Sequence, residues 1–222
     1  MSLGYTIHKD IHRVSKELIE QFRPYSIANL DDCLHRTAAI SSAIQPLNKV
    51  RLQGVAYTVK VPAGDNLLFY YAIDNAKPGD VIVVDGDGYT ERALCGEIMA
   101  TLAKKRGLAG FVIHGAIRDK EELEKMDFPV FAIASSPNGP YKNGPGEINV
   151  PVNIGGRIIS PGDILIGNQE GLISFKEEEA NQLLEDVQKV IAKESKMLES
   201  IEKNRSINLD WMYEELKKAG VI

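Results

Sequence analysis

Cysteine, long apolar runs and a surplus of positive charge are what this chain lacks. Its two cysteines, Cys33 and Cys95, stand far apart in no CxxC pair, so neither a disulfide framework nor a thiolate zinc site is indicated. No apolar run approaches the ~20 residues needed to cross a bilayer. The amino terminus lacks the charged, apolar and small-residue succession of a signal peptide. The chain therefore reads as soluble and cytoplasmic, with no membrane partner, and Met1-Ser2-Leu3 reads as a remnant of expression. Lys and Arg number 26 against 31 Asp and Glu, a net charge of −5 with His neutral, so nucleic acid is not expected as a ligand. Neither a GxSxG elbow nor a GxxxxGK[ST] loop occurs, which disfavours hydrolase and P-loop readings. HExxH is missing too, and the pair His8 and His12 has no third ligand and reads as surface.

What remains is an ordinary globular balance, 44% hydrophobic and 26% charged over 222 residues, enough to bury a sizeable core. Ile11, Val14, Leu18, Ile19 and Phe22 recur at helical spacing, with Pro24 as the stop, so a helix is expected over 11–22. A second helix is expected over 27–34, a half-buried strand over 54–61 and a helix over 67–76. From Val81 the chain alternates short apolar strands (81–84, 111–113, 130–133) with helices ending near Arg106 and Met126, the pattern of a parallel sheet. Pro and Gly crowd residues 135–146, too long for a routine connection, marking a lid or an interface segment. Strand signals return at 150–159 and 164–166, then one long helix over 177–203 and a short helical tail over 209–219. Pro78-Gly-Asp80 and Pro161-Gly-Asp163 repeat one turn that launches a buried strand.

Chemistry concentrates at Phe111-Val-Ile-His-Gly-Ala-Ile-Arg-Asp119, where a buried strand runs into a cation and a carboxylate. Open α/β sheets bind ligands at that end of a parallel strand. Asp119 also heads Asp119-Lys-Glu-Glu122, the pattern of an N-cap, so it is either a cap or a ligand for metal or substrate. Arg118 is likewise either a surface ion-pair partner or a site residue. Asp85-Gly-Asp-Gly88 fits neither a dinucleotide loop nor a calcium loop. Gly96-Glu97 is a place where a ligand could approach the backbone and helix-start amides could hold a carboxylate. Lys60 has no surrounding motif that would make it a Schiff-base lysine.

Five segments in order, Pro62-Ala-Gly-Asp-Asn66, Lys77-Pro-Gly-Asp-Val-Ile-Val-Val-Asp85, Thr90-Glu-Arg-Ala-Leu-Cys-Gly-Glu97, Gly115-Ala-Ile-Arg-Asp119 and Gly144-Pro-Gly-Glu-Ile-Asn-Val-Pro-Val152, resemble the RraA-like family. That family includes 4-hydroxy-4-methyl-2-oxoglutarate / 4-carboxy-4-hydroxy-2-oxoadipate aldolases and regulators of ribonuclease E activity. The resemblance spans about Ser26 to Ile201 and implies one domain over 1–222. The implied fold is α/β, a swivelling β/β/α arrangement with a central mixed or parallel sheet, N-terminal helices and a long C-terminal helix. It also implies trimers or hexamers with active sites at subunit boundaries.

The family's aldolases carry an acid, twenty residues, then Arg-Asp; here residues 98–117 separate Glu97 from Arg118-Asp119. Glu97 stands where the best-known aldolases have Asp. By the same resemblance Asp119 with waters holds Mg²⁺ or another divalent cation such as Mn²⁺, and Arg118 faces the enolate oxygen. Gly96 and the backbone amides of Ile98 and Met99 take the pyruvate carboxylate, and Asn66 lines the pocket. Glu97 and Glu194, the latter lent by a neighbouring subunit, orient water. The implied activity is class II aldol cleavage of small 4-hydroxy-2-oxo acids, with oxaloacetate decarboxylation beside it. The rival expectation is a non-catalytic, protein-binding regulator; the presence of Asp119 favours the enzyme.

Overall fold

The computed structural model describes residues 3–222, so Met1 and Ser2, and with them the reading of the opening tripeptide, lie outside the described residues. The elements run β1 (Tyr5–Ile7), α1 (Lys16–Glu20), α2 (Ile27–Cys33), β2 (Gln45–Pro46), β3 (Leu52–Lys60), α3 (Leu67–Asn75), β4 (Asp80–Asp85), β5 (Ala93–Cys95), α4 (Glu97–Lys105) and β6 (Gly110–Ile117). They continue through α5 (Lys120–Lys125), β7 (Val130–Ser135), β8 (Gly146–Ile148), β9 (Val152–Ile154), β10 (Arg157–Ile159), β11 (Ile164–Asn168), β12 (Gly171–Phe175), α6 (Glu177–Asn204) and α7 (Asp210–Lys218).

The sheet is mixed. Its order is β1-β8-β3-β4-β6-β7-β2, with the β11–β12 hairpin also joined to β3 and β5 joined to β6. The parallel pattern expected from the sequence holds for β3, β4, β6 and β7, while β8, β11 and β2 add antiparallel pairings at its margins. Strand β4 is buried along its whole length, the mark of a parallel strand covered on both faces. Ile82 and Val84 pack with Phe69, Met99 and Leu123 under α3, α4 and α5. Val81 and Val83, pointing the other way, pack with Val152, Ile154 and Ile159 of the β9–β10 hairpin. A third cluster joins α1, α2 and the first half of α6 over β11 and β12.

Two expectations change. The helix expected over 11–22 begins only at Lys16, where the Ser15 hydroxyl accepts the Leu18 amide proton at 3.2 Å. Upstream, the Arg13 guanidinium holds Asp80 through two bonds of 2.8 Å, which keeps this stretch out of the helix. Strand β3 is buried on both faces rather than half-buried, because β4, β8 and β11 flank it and core clusters cover both sides. The repeated turn is as expected: Asp80 accepts the Lys77 amide proton and Asp163 that of Ser160, each at 2.8 Å, and β4 and β11 start there. Among the described residues no helix is long and apolar enough to cross a membrane.

Candidate active site

At the carboxyl end of β6 the chain leaves the sheet through Arg118 and Asp119. The Arg118 amide still bonds Cys95 O at 2.9 Å, continuing the β5–β6 pairing. Asp119 then takes a left-handed conformation, φ 55° and ψ 42°, and makes no side-chain cap to α5. Asp119 does stand at the N-cap position of α5, as one alternative had it, but its side chain does not cap that helix. A left-handed Asp turns its carboxylate away from the helix it precedes, and here Oδ2 accepts the Glu97 amide proton at 3.0 Å, at the start of α4.

That helix needs an outside cap, because Gly96 occupies its N-cap position and has no side chain to offer. Gly96 is a glycine for reasons of space: a Cβ there would lie 2.3 Å from Asp119 Oδ2 and 2.9 Å from Arg118 Cγ. With Glu97 served by Asp119 and the Ala100 amide bonded to Gly96 O, the amides of Ile98 and Met99 have no acceptor within the helix. They form a small anion-receptive edge beside Arg118.

Asn66 precedes α3 and caps nothing. It is buried, and its Nδ2 donates to Leu94 O at 2.9 Å and meets Met99 Sδ at 3.4 Å. Among the described residues its Oδ1 is buried without a partner, an open acceptor in a residue that lines the pocket. The pocket, about 160 Å³, brings together Asn66, Gly96, Ile98, Met99, Arg118 and Asp119, six of the residues singled out in the sequence. The Glu97 side chain is exposed, and it is its backbone that joins the site. Glu194 lies on α6, where it accepts from Asn29 Nδ2 at 2.8 Å, and is not in the lining of its own chain's pocket.

Sequence reasoning missed Tyr70, Cys95 and Lys142. Lys142 comes from the Pro- and Gly-rich stretch, which here walls the pocket with Gly139 and Pro140, and its Nζ lies 5.6 Å from the Tyr70 ring centre. The signal available was the unusual length of that stretch with a lysine inside it. The pocket thus has two cations, Arg118 and Lys142, against the single carboxylate of Asp119, a balance suited to an acidic ligand. Arg118 Nε stands 3.7 Å from Asp119 Oδ2. Burial, and then the Asp119 charge, push the Cys95 thiol far above the ordinary cysteine range, so it lines the pocket as a neutral group.

Mg²⁺ characteristically takes one or two carboxylates and completes its shell with water and ligand oxygens. Asp119 fits that use: Oδ2 is shared with the Glu97 amide, and Oδ1 accepts no hydrogen bond among the described residues. Among the described residues no group of three or more His, Cys, Asp or Glu is placed to hold a metal ion by itself. Water and substrate would therefore complete the shell. The other motifs fall outside the pocket. Asp85 tethers its own loop through the Asp87 amide, His12 pairs with Glu177 at 2.5 Å, and Lys60 stands 3.8 Å from Glu147.

The RraA-like family, described as Aldolase/RraA, matches the chain over residues 27–174. A Halalkalibacterium halodurans protein provisionally named 4-hydroxy-4-methyl-2-oxoglutarate aldolase is 37% identical over 174 residues, covering 78% of this chain and 83% of its own. The 4-hydroxy-4-methyl-2-oxoglutarate aldolase of Thermus thermophilus is 36% identical over 129 residues, 58% of this chain and 78% of its own. Among solved structures, the RNA-processing inhibitor RraA from a Thermus bacterium aligns at a TM-score of 0.64 and 32% identity, over 69% of this chain and 93% of that one. Both the sequence match and the shared architecture make this chain a member of the RraA-like family.

Proposed function

We propose that the protein is a divalent-metal-dependent carbon–carbon lyase that cleaves 4-hydroxy-2-oxo acids such as 4-hydroxy-4-methyl-2-oxoglutarate to pyruvate, with oxaloacetate decarboxylation as a second activity. The observation that carries the reading is the convergence of Arg118, Asp119 and the two unpaired amides of α4 on one pocket. Two relatives bearing aldolase names support it.

Both reactions break a carbon–carbon bond and leave its electron pair on a pyruvyl unit, as an enolate with its charge on the 2-oxo oxygen. A divalent cation held by Asp119 supplies Lewis-acid charge for the 2-oxo acid. Arg118 sits beside Asp119 and places a permanent charge where the enolate develops, the kind of preorganised term that dominates many active sites. The amides of Ile98 and Met99 hold the pyruvyl carboxylate, and the open Oδ1 of Asn66 orients a hydroxyl donor. Lys142 takes the negative charge of the remaining half of the substrate. The Glu97 side chain, exposed on the first turn of α4 and outside the pocket lining, relays the 4-hydroxyl proton only by way of water. Glu194, held by Asn29 in its own chain, serves the site of a neighbouring copy in a trimer or hexamer.

The test is pyruvate release from 4-hydroxy-4-methyl-2-oxoglutarate and from oxaloacetate, read by coupled reduction to lactate, with Mg²⁺ and then with excess chelator. Turnover that the chelator abolishes is the expected result. The likeness to a solved RNA-processing inhibitor favours the second reading, a protein-binding regulator, which predicts no turnover and indifference to chelator.

A further inference from the structure

The wall that carries Lys142 belongs to no helix and no named strand. A cation on such a segment has a defined position only if other groups tie the segment down. Two side chains do so, from its two ends.

Asp65 is 3% exposed and makes no ion pair among the described residues. Its Oδ1 accepts from the Leu67 amide at 2.9 Å; its Oδ2 accepts from Asn143 at 2.6 Å and Gly144 at 3.1 Å. One carboxylate thus joins the start of α3, next to Asn66, to the residues just after Lys142. Backbone bonds run alongside: Tyr141 N to Gly64 O at 2.8 Å, and Asn66 N to Tyr141 O at 3.0 Å. At the other end, Arg92 donates to Asn138 Oδ1 at 3.0 Å and Gly139 O at 2.8 Å, and its guanidinium lies 4.1 Å from the centre of the Tyr141 ring. Gly139 in turn lies beside Arg118, whose Nη1 would stand 3.3 Å from a Cβ at that position.

We propose that Asp65 and Arg92 are positioning residues that hold residues 138–144 as a fixed wall and so set the place of Lys142 opposite Arg118, an inference that rests on the lyase site proposed above. A buried carboxylate persists only where hydrogen bonds compensate it, and these amide donors do so. Asparagine has the same shape but a single acceptor oxygen, so in either orientation its NH₂ faces the Leu67 amide or those of Asn143 and Gly144, and the tie between α3 and the wall is broken.

The experiment is a cycle of Asp65→Asn, Lys142→Ala and the double variant, with kcat and KM for 4-hydroxy-4-methyl-2-oxoglutarate and hydrogen exchange over residues 138–144. Asp65→Asn is expected to raise KM at least about tenfold, since a misplaced binding group costs that much or more. The double variant is expected to lie within about twofold of Lys142→Ala, because residues acting through one another are not additive. Exchange at Asn143 and Gly144 quickens. Losses that multiply in the double variant, or full activity in a folded Asp65→Asn, overturn the proposal while leaving the lyase reading intact. A wild-type protein without turnover overturns the lyase reading, and the exchange data then decide whether Asp65 holds the wall: unchanged protection means it does not. Should Asp65→Asn fail to fold, the same cycle with Arg92→Met takes its place, with the same expected pattern and the same disproof.

Discussion

The Asp119 carboxylate accepts the Glu97 amide proton across the mouth of the pocket, 3.0 Å from donor to acceptor. One side chain therefore caps α4 and also lines the pocket, while the helix it precedes in sequence, α5, goes without a side-chain cap. A carboxylate at a helix N-terminus is favoured by the helix dipole as well as by the bond itself. The pocket's carboxylate is thus held in place by the helix whose Ile98 and Met99 amides have no acceptor within it.

The two duties of Asp119 separate by substitution. Asp119→Asn keeps an oxygen for the Glu97 amide and loses the charge, whereas Asp119→Ala loses both. Both variants are expected to lose turnover, but only the alanine variant should lose the cap, about 1 kcal/mol. Urea unfolding beside the pyruvate assay reads the two effects independently; equal stabilities would show that the cap is without weight.

Arg118→Lys retains the charge but not the planar fork. On the proposed lyase reading Arg118 meets developing charge, so kcat is expected to fall about a hundredfold, as on removal of an oxyanion donor. Substrate titration at saturating Mg²⁺ is the check, and an unchanged kcat in a folded variant removes Arg118 from the chemistry.

Gly96→Ala tests the close approach. The new methyl would stand 2.3 Å from Asp119 Oδ2, so the carboxylate has to move. A displacement of that order predicts about a hundredfold loss of activity. The dihedral angles at Gly96, φ −154° and ψ −164°, suit any residue, so backbone strain adds nothing. Circular dichroism confirms the fold, and wild-type activity would mean that Asp119 does not act from where it lies.

The cysteines should differ in reactivity. Burial raises both thiols, Cys95 much further than Cys33, and Cys33 is only half-buried. Iodoacetamide at pH 8 is expected to label Cys33 slowly and leave Cys95 untouched until denaturant is added. Peptide mass spectrometry reads the positions, and prompt labelling of Cys95 in the native protein would contradict its sealed setting.

Asp85 predicts an acid limb. Burial alone would raise its pKa, but the His114 ring beside it, with Nδ1 3.5 Å from Oδ1, and the hydrogen bonds from the amides of Asp87 and Asn153 outweigh it and hold the carboxyl below its ordinary value. A carboxyl lowered in the folded state stabilises fully above its unfolded pKa, about 4, and that contribution fades as pH falls through the native value. The wild type should therefore lose stability more steeply than Asp85→Asn below about pH 4. Urea midpoints across pH 3 to 6 give the comparison, and parallel curves would refute the coupling.

Local pattern reached far into this molecule. The parallel strands β4, β6 and β7 are short apolar runs bounded by turn residues, and both Pro-Gly-Asp turns rest on bonds within three residues of the aspartate. Arg118 and Asp119 were visible because a buried strand ending in a charged pair is unusual at the level of neighbouring residues. Lys142 was not, because its place depends on Asp65 and Arg92, whose bonds to the wall span 78 and 47 residues. The start of α1 was misplaced for a similar reason: Arg13 answers to Asp80, 67 residues away, and not to helical periodicity.

By itself the amino-acid sequence determined the succession of the parallel strands β3, β4, β6 and β7 with their helices, though not the short strands β1, β2, β5 and β12, together with the membership of the RraA-like family and the chemistry present at the end of β6. Apolar periodicity and turn chemistry act over a few residues, so they survive without knowledge of the whole. Only the tertiary structure decided that Asp119 caps α4 instead of α5, and that Gly96 must lack a side chain. It also decided that a lysine in an irregular segment faces the pocket. Each depends on which groups meet within hydrogen-bonding or van der Waals distance, and separation along the chain does not determine that.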